Sequence, residues 1–156
     1  MFKSTTFKST VFKFAGLALP IVLATAAQAS DEMRLALGFS STQASGETVG
    51  SYGLANIANR DTNGEFCLGY ADRAPDHVLT LEEDFTDLTI AVNSGGADTT
   101  LLIQGPNNST IRCNDSASRQ NRDAKIQDTF SQGTYKLWIG SFEPEGRHRY
   151  TLRISE

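Results

Sequence analysis

The chain has 156 residues, with 14 Lys and Arg against 18 Asp and Glu and a formal net charge of −4. A net-acidic surface repels phosphate backbones and anionic headgroups, which disfavours nucleic acid and anionic membrane as partners. The length suffices for one domain with a real core.

The chain opens on Lys3, Lys8 and Lys13, with no acid before Asp31. An apolar run from Phe14 to Ala26 follows, then Ala27-Gln28-Ala29, a small-x-small signature before Ser30. This is the pattern of a cleaved signal peptide over residues 1–29. The run is short for a membrane span and Pro20 interrupts it, so no transmembrane segment is expected after cleavage. Three of the 14 basic residues and none of the 18 acids leave with the signal, so the mature net charge is −7. That charge is compatible with cation binding.

In the mature part, Met33 to Phe39 alternates and reads as a first strand. Ser40 to Thr48 has no apolar anchor except Ala44 and reads as a loop. Val49 to Ile57 carries two glycines and reads as a weak or bulged strand. Asn59 to Gly64 is a turn, and Glu65 to Tyr70 a short strand carrying Cys67. His77 to Leu81 is a strand, Glu82-Glu83-Asp84 an acidic turn, and Leu88 to Val92 a strand with Leu88, Ile90 and Val92 inward. Thr99 to Gln104 and Thr110 to Cys113 flank the turn residues Gly105 to Ser109 and form a central β-hairpin. The polar stretch from Asn114 to Arg122 leads to a segment from Ala124 to Phe130 with Ile126 and Phe130 as its apolar contacts. Gly133 to Gly140 is the strongest strand, with Tyr135, Leu137 and Ile139 on one face, and Tyr150 to Ile154 closes the chain. Short strands at this spacing, turn clusters between them and no convincing helix indicate an all-β, antiparallel, jelly-roll-like β-sandwich over residues 30–156.

Cys67 and Cys113 are the two cysteines, 46 residues apart in an exported chain, and read as one structural disulfide. In the chain-entropy model a loop of that size is worth roughly 4 kcal/mol. Metal ligation lacks a nearby His, and a redox pair lacks C-x-x-C spacing.

The order of pieces resembles the bacterial pre-peptidase C-terminal (PPC) type of domain over residues 65–156. The pieces are Cys67-x-Gly69-Tyr70, Pro75-Asp76-His77, Leu88 to Ser94, Asp98 to Ile103 with Gly105-Pro106, Cys113-Asn114-Asp115, Gly133 to Phe142, and Tyr150-x-Leu152-x-Ile154-Ser155-Glu156. The resemblance implies a secreted or periplasmic jelly-roll module, often an accessory of exported peptidases and in some members calcium-binding or substrate-binding. In that family the second Cys is often followed by several acids; here the run is Asn114-Asp115-Ser116.

Three chemistries are open to these residues. Asp98, Asn114, Asp115 and Asp123 supply hard oxygens around the central hairpin and form a candidate calcium site, against local turn capping by the same side chains. Trp138 has the opposite parity to its core-facing neighbours, so it is either an outward stacking platform for a ligand or covered by a neighbouring segment. Asn93-Ser94-Gly95-Gly96 resembles a nucleophile segment, but only His77 and His148 exist to serve as base and neither sits in a triad-like context. The expectation is an exported, non-catalytic binding or accessory module whose partner is an exported protein or a polysaccharide. The alternatives are a small secreted hydrolase and an envelope structural or inhibitor protein.

Overall fold

The computed structural model describes residues 31–156; the signal peptide expected over 1–29 lies outside the described residues. Eleven strands follow in chain order: β1 (Asp31–Leu35), β2 (Thr42–Glu47), β3 (Tyr52–Gly53), β4 (Tyr70–Ala71), β5 (His77–Leu81), β6 (Phe85–Asn93), β7 (Thr99–Gln104), β8 (Ile111–Asn114), β9 (Lys125–Phe130), β10 (Gly133–Ser141) and β11 (Arg149–Ser155). Among the described residues the one helical turn is a 3-10 segment, Leu54–Asn56. Among the described residues no helix is long and apolar enough to cross a membrane.

Two sheets face each other. Sheet A runs β1-β5-β10 and continues through β7 to β8, with β4 and β3 added at the end of β10. Sheet B is β2-β11-β6-β9 and wholly antiparallel. The core between them follows from strand parity. Leu88, Ile90 and Val92 of β6, Tyr135, Leu137 and Ile139 of β10, and Tyr150, Leu152 and Ile154 of β11 all point inward. One pairing departs from the expected antiparallel pattern: β1 lies parallel to β5, from Asp31 beside His77 to Leu35 beside Leu81.

Four segments differ from the sequence reading. The first strand stops at Leu35, because Gly38, at φ 73°, turns the chain and lets Phe39 pack edge-on against Phe85. The stretch read as a loop from Ser40 to Thr48 contains β2, an edge strand held by its ladder to β11. An edge strand with one face in water needs few apolar residues. Gln43, Ser45 and Glu47 face out and Ala44 faces the core. Gly46 is required by contact, since a Cβ there would stand 2.3 Å from the Tyr150 hydroxyl. Finally, Cys67 is on no strand, and Val49 to Ile57 holds only β3 and the 3-10 turn.

That last region forms a third layer. Residues 54–71 cross the outer face of sheet A, where Leu54, Cys67 and Ala71 pack against Leu102, Ile111 and Trp138. Register explains the cluster: Trp138 pairs with Leu102, and Leu102 with Cys113, so the three form one row across β10, β7 and β8. The Cys67–Cys113 disulfide forms as expected, with Cα atoms 5.3 Å apart, and fastens the layer to that row. At Gly69, φ 93°, a Cβ would stand 2.3 Å from Thr100, so only glycine lets this backbone lie flat on the sheet.

Replacing both cysteines by Ser is expected to lower the unfolding free energy by roughly 4 kcal/mol. Trp138→Ala is expected to cost about 3–5 kcal/mol, as for other buried aromatics. Urea unfolding measures both; midpoints unchanged from the parent would contradict this third layer.

Candidate binding surface

The outer face of sheet A is half covered, whereas that of sheet B is open. β11 lies between β2 and β6, so its outward residues sit at the centre of that face. The inward set Tyr150, Leu152 and Ile154 leaves Arg149, Thr151 and Arg153 outward. Register then builds rows across the sheet: Ser45, Thr151 and Asn93 in one, and Gln43, Arg153, Ala91 and Lys125 in the next. Two adjoining depressions of about 550 and 490 Å³ run along these rows and share Asn93 and Thr151. The face therefore offers hydroxyl, amide and guanidinium groups on strands whose central pair, β11 and β6, is hydrogen-bonded on both sides.

One end of this face is closed by a turn that Asp123 organises. Its Oδ1 accepts the Ser94 amide at 3.0 Å, the Ser94 hydroxyl and, at 3.5 Å, the Thr99 hydroxyl. Asp123 is 6% exposed and Thr99 fully buried, while Ser94 is half-buried, so removing the carboxylate leaves the Thr99 hydroxyl in particular without this acceptor. Ser94 Oγ also accepts the Ala97 amide at 2.9 Å. Its hydrogen bonds thus go to Asp123 and the turn backbone, and none of them reaches a histidine. His77 is buried in β5 and its Nε2 lies 2.9 Å from the Tyr150 hydroxyl, which links sheet A to sheet B. The His148 amide donates to Thr48 Oγ1.

The other expected ligand residues lie apart in role. The hairpin ladder ends with Asn114 beside Leu101, so Asp98 stands three residues past that pairing instead of opposite Asn114. Asp98 pairs with Arg122 at 3.6 Å, and Asn114 Oδ1 accepts the Lys125 amide at 2.9 Å. Asp115 follows β8, half-buried. Among the described residues no three His, Cys, Asp or Glu side chains gather in a metal-holding group. Trp138 is not an outward platform: it is 5% exposed beneath the third layer, and its Nε1 donates to the Arg73 carbonyl at 3.3 Å. The outward parity of the strand was right, but an apolar cover lies over it.

Among the described residues Asp76 is the one carboxylate whose acidity the fold shifts strongly. Burial pushes it from 3.8 up to about 6, while the Ile139 amide, donating to its Oδ2 at 2.7 Å, pulls down and Asp72 pushes up. The exposed residues Arg149, Arg153 and Lys125 did not enter the sequence reading as site residues. The signal of Arg149 and Arg153 was present as the outward complement of the Tyr150, Leu152 and Ile154 alternation; that of Lys125 needed β9 laid beside β6.

No family model matches the chain, and no curated protein matches it. Solved structures do. The chain is similar to a pre-peptidase C-terminal domain. That domain belongs to a collagenase of Bacillus anthracis, at 13% identity and a TM-score of 0.49, covering 83% of this chain and 99% of the domain. It is the type of domain that the motifs from Cys67 to Glu156 resemble. The chain is also similar to a periplasmic inhibitor of g-type lysozyme from Aeromonas hydrophila, at 11% identity and a TM-score of 0.38, over 81% of this chain and 98% of that one. A surface-associated copper-binding protein of Methylomicrobium album BG8 is similar at 10% identity and 0.38, over 81% and 98%. None of the three carries an activity over to this chain.

Two outcomes follow from these contacts. Asp123→Ala is expected to destabilise by about 1–3 kcal/mol, the cost of orphaning buried donors, and equally in calcium and in chelator. Melting curves in both buffers check this; a loss confined to the calcium buffer would give Asp123 a ligand role instead. For Asp76, a folded pKa above the unfolded one means the native state holds the extra proton. Its stabilising contribution is present below about pH 4 and is lost as pH rises to about 6. Asp76→Asn keeps an acceptor for the Ile139 amide and has no proton to lose. Urea midpoints should therefore diverge across that window in favour of the variant; parallel curves would contradict the shift.

Proposed function

We propose that the protein is an exported, non-catalytic binding module that presents the outer face of sheet B to an envelope or extracellular partner. The observation that carries this reading is the open polar face itself, with two joined depressions along β2, β11 and β6. The disulfide supports export, since such bonds persist in oxidising compartments. The hydrogen bonds of Ser94 Oγ go to Asp123 and the turn backbone and none reaches a histidine, which argues against a Ser-His-Asp hydrolase.

The test is retention of envelope and medium components on immobilised mature protein and on an Ala91→Glu, Thr151→Glu variant. These substitutions place carboxylates on the floor of the depressions without entering the core. The parent is expected to retain a component that the variant releases, with both proteins melting alike. Equal retention by both, or stoichiometric fluorophosphonate labelling of Ser94, would contradict the proposal.

A further inference from the structure

We infer that the partner of the sheet B face is an anionic polysaccharide, a chain of sugars bearing carboxylates. The inference rests on the proposed function and names the chemistry of its ligand. It starts from a mismatch of charge. Residues 30–156 hold 11 Lys and Arg against 18 acids, yet Arg149, Arg153 and Lys125 share one sheet face. All three are exposed, and among the described residues no carboxylate forms an ion pair with them. Glu47, which faces Arg149 across the ladder, is held by Arg147 at 3.2 Å. Asp87, at the far end of β6, accepts the Gln127 side-chain amide at 2.9 Å.

The spacing gives these cations a shape. Arg149 and Arg153 are four residues apart on one strand, about 14 Å along it. Arg153 and Lys125 lie in one row with Ala91 between them, two strand spacings or about 10 Å across. Ala91 presents only a methyl, so the cations stand over a low floor. Asn93, Thr151 and Ser45 place amide and hydroxyl groups beside them for sugar hydroxyls.

A polysaccharide fits better than an acidic protein. Protein interfaces centre on apolar and aromatic anchors. Among the described residues the exposed large apolar ones are Leu37, Phe66, Leu68 and Phe142, and none belongs to β2, β6, β9 or β11. A flat face with separated cations and small polar groups matches a polymer that repeats its anions along an extended chain. A guanidinium can meet each carboxylate in a two-pronged contact.

The test is titration calorimetry of the disulfide-bonded protein, in chelator, with an oligogalacturonate of about eight sugars as a polyuronate probe. Maltooctaose serves as the neutral arm and oligoglutamate as the acidic-peptide arm. The polyuronate is expected to bind, and the other two to bind at least about tenfold more weakly. Arg153→Ala and Arg149→Ala should each weaken polyuronate binding about tenfold, while Arg73→Ala, on the opposite layer, should leave it unchanged. Arg153→Gln keeps a polar stem and repeats the test if the alanine variant melts early. Absence of polyuronate binding, equal losses in the Arg73 and Arg153 variants, or stronger binding of oligoglutamate would overturn the inference. Tight maltooctaose binding abolished by Ala91→Glu would overturn it too, while leaving the binding-module reading intact.

Discussion

A sheet that is apolar on both faces must be covered twice. Over β7, β8 and the second half of β10, sheet A is such a sheet: Leu101, Ile103, Leu137 and Ile139 face sheet B, while Leu102, Ile111 and Trp138 face the other way. Sheet B covers the first set. The second set is covered by residues 54–71, which have almost no regular structure of their own. Such a segment holds its place poorly by backbone pairing, so the covalent link from Cys67 to Cys113 does what a ladder would otherwise do. Because Cys113, Leu102 and Trp138 form one row, the link acts at the spot where the cover matters most. The energetic sense is plain: the loss of conformational entropy on ordering this segment is reduced in advance by closing the loop in the unfolded chain.

This constraint also divides the molecule by role. With one face of sheet A against the core and much of the other under the third layer, the broad open sheet surface is that of sheet B. Its central strands β11 and β6 are paired on both sides, and its outward side chains are mostly polar. Asp123 fixes the turn at its end through Ser94 and Thr99. A face so held changes shape little on meeting a ligand, which spares the ordering cost of binding.

Much of the fold was legible because strand parity writes the core directly into the chain. Leu88, Ile90 and Val92, then Tyr135, Leu137 and Ile139, then Tyr150, Leu152 and Ile154 are each a period-two set, and each is buried. The lone cysteine pair was legible for the same kind of reason, chemistry with few alternatives. What escaped was whatever depends on a partner distant in sequence. β2 has no hydrophobic pattern because its ladder to β11 holds it, and Gly46 has meaning only against Tyr150. Trp138 reads as outward by parity, and nothing in its own strand announces that residues 54–71 return to cover it. The expected closeness of Asp98 and Asn114 failed by register, since β8 ends against Leu101. The cation face was written in β11 as Arg149 and Arg153, but it became a face only when β6 and β9 were laid beside it.

The measurement that bears most directly on the two-sided covering of sheet A is fluorescence of Trp138, the single tryptophan of the chain. In the disulfide-bonded protein its emission should be blue-shifted and poorly quenched by acrylamide. Reduction under conditions that leave the sandwich folded should shift it to the red and raise the quenching, as the third layer loosens. Red, readily quenched emission in the oxidised protein would mean that Trp138 stands in water and that sheet A has no such cover.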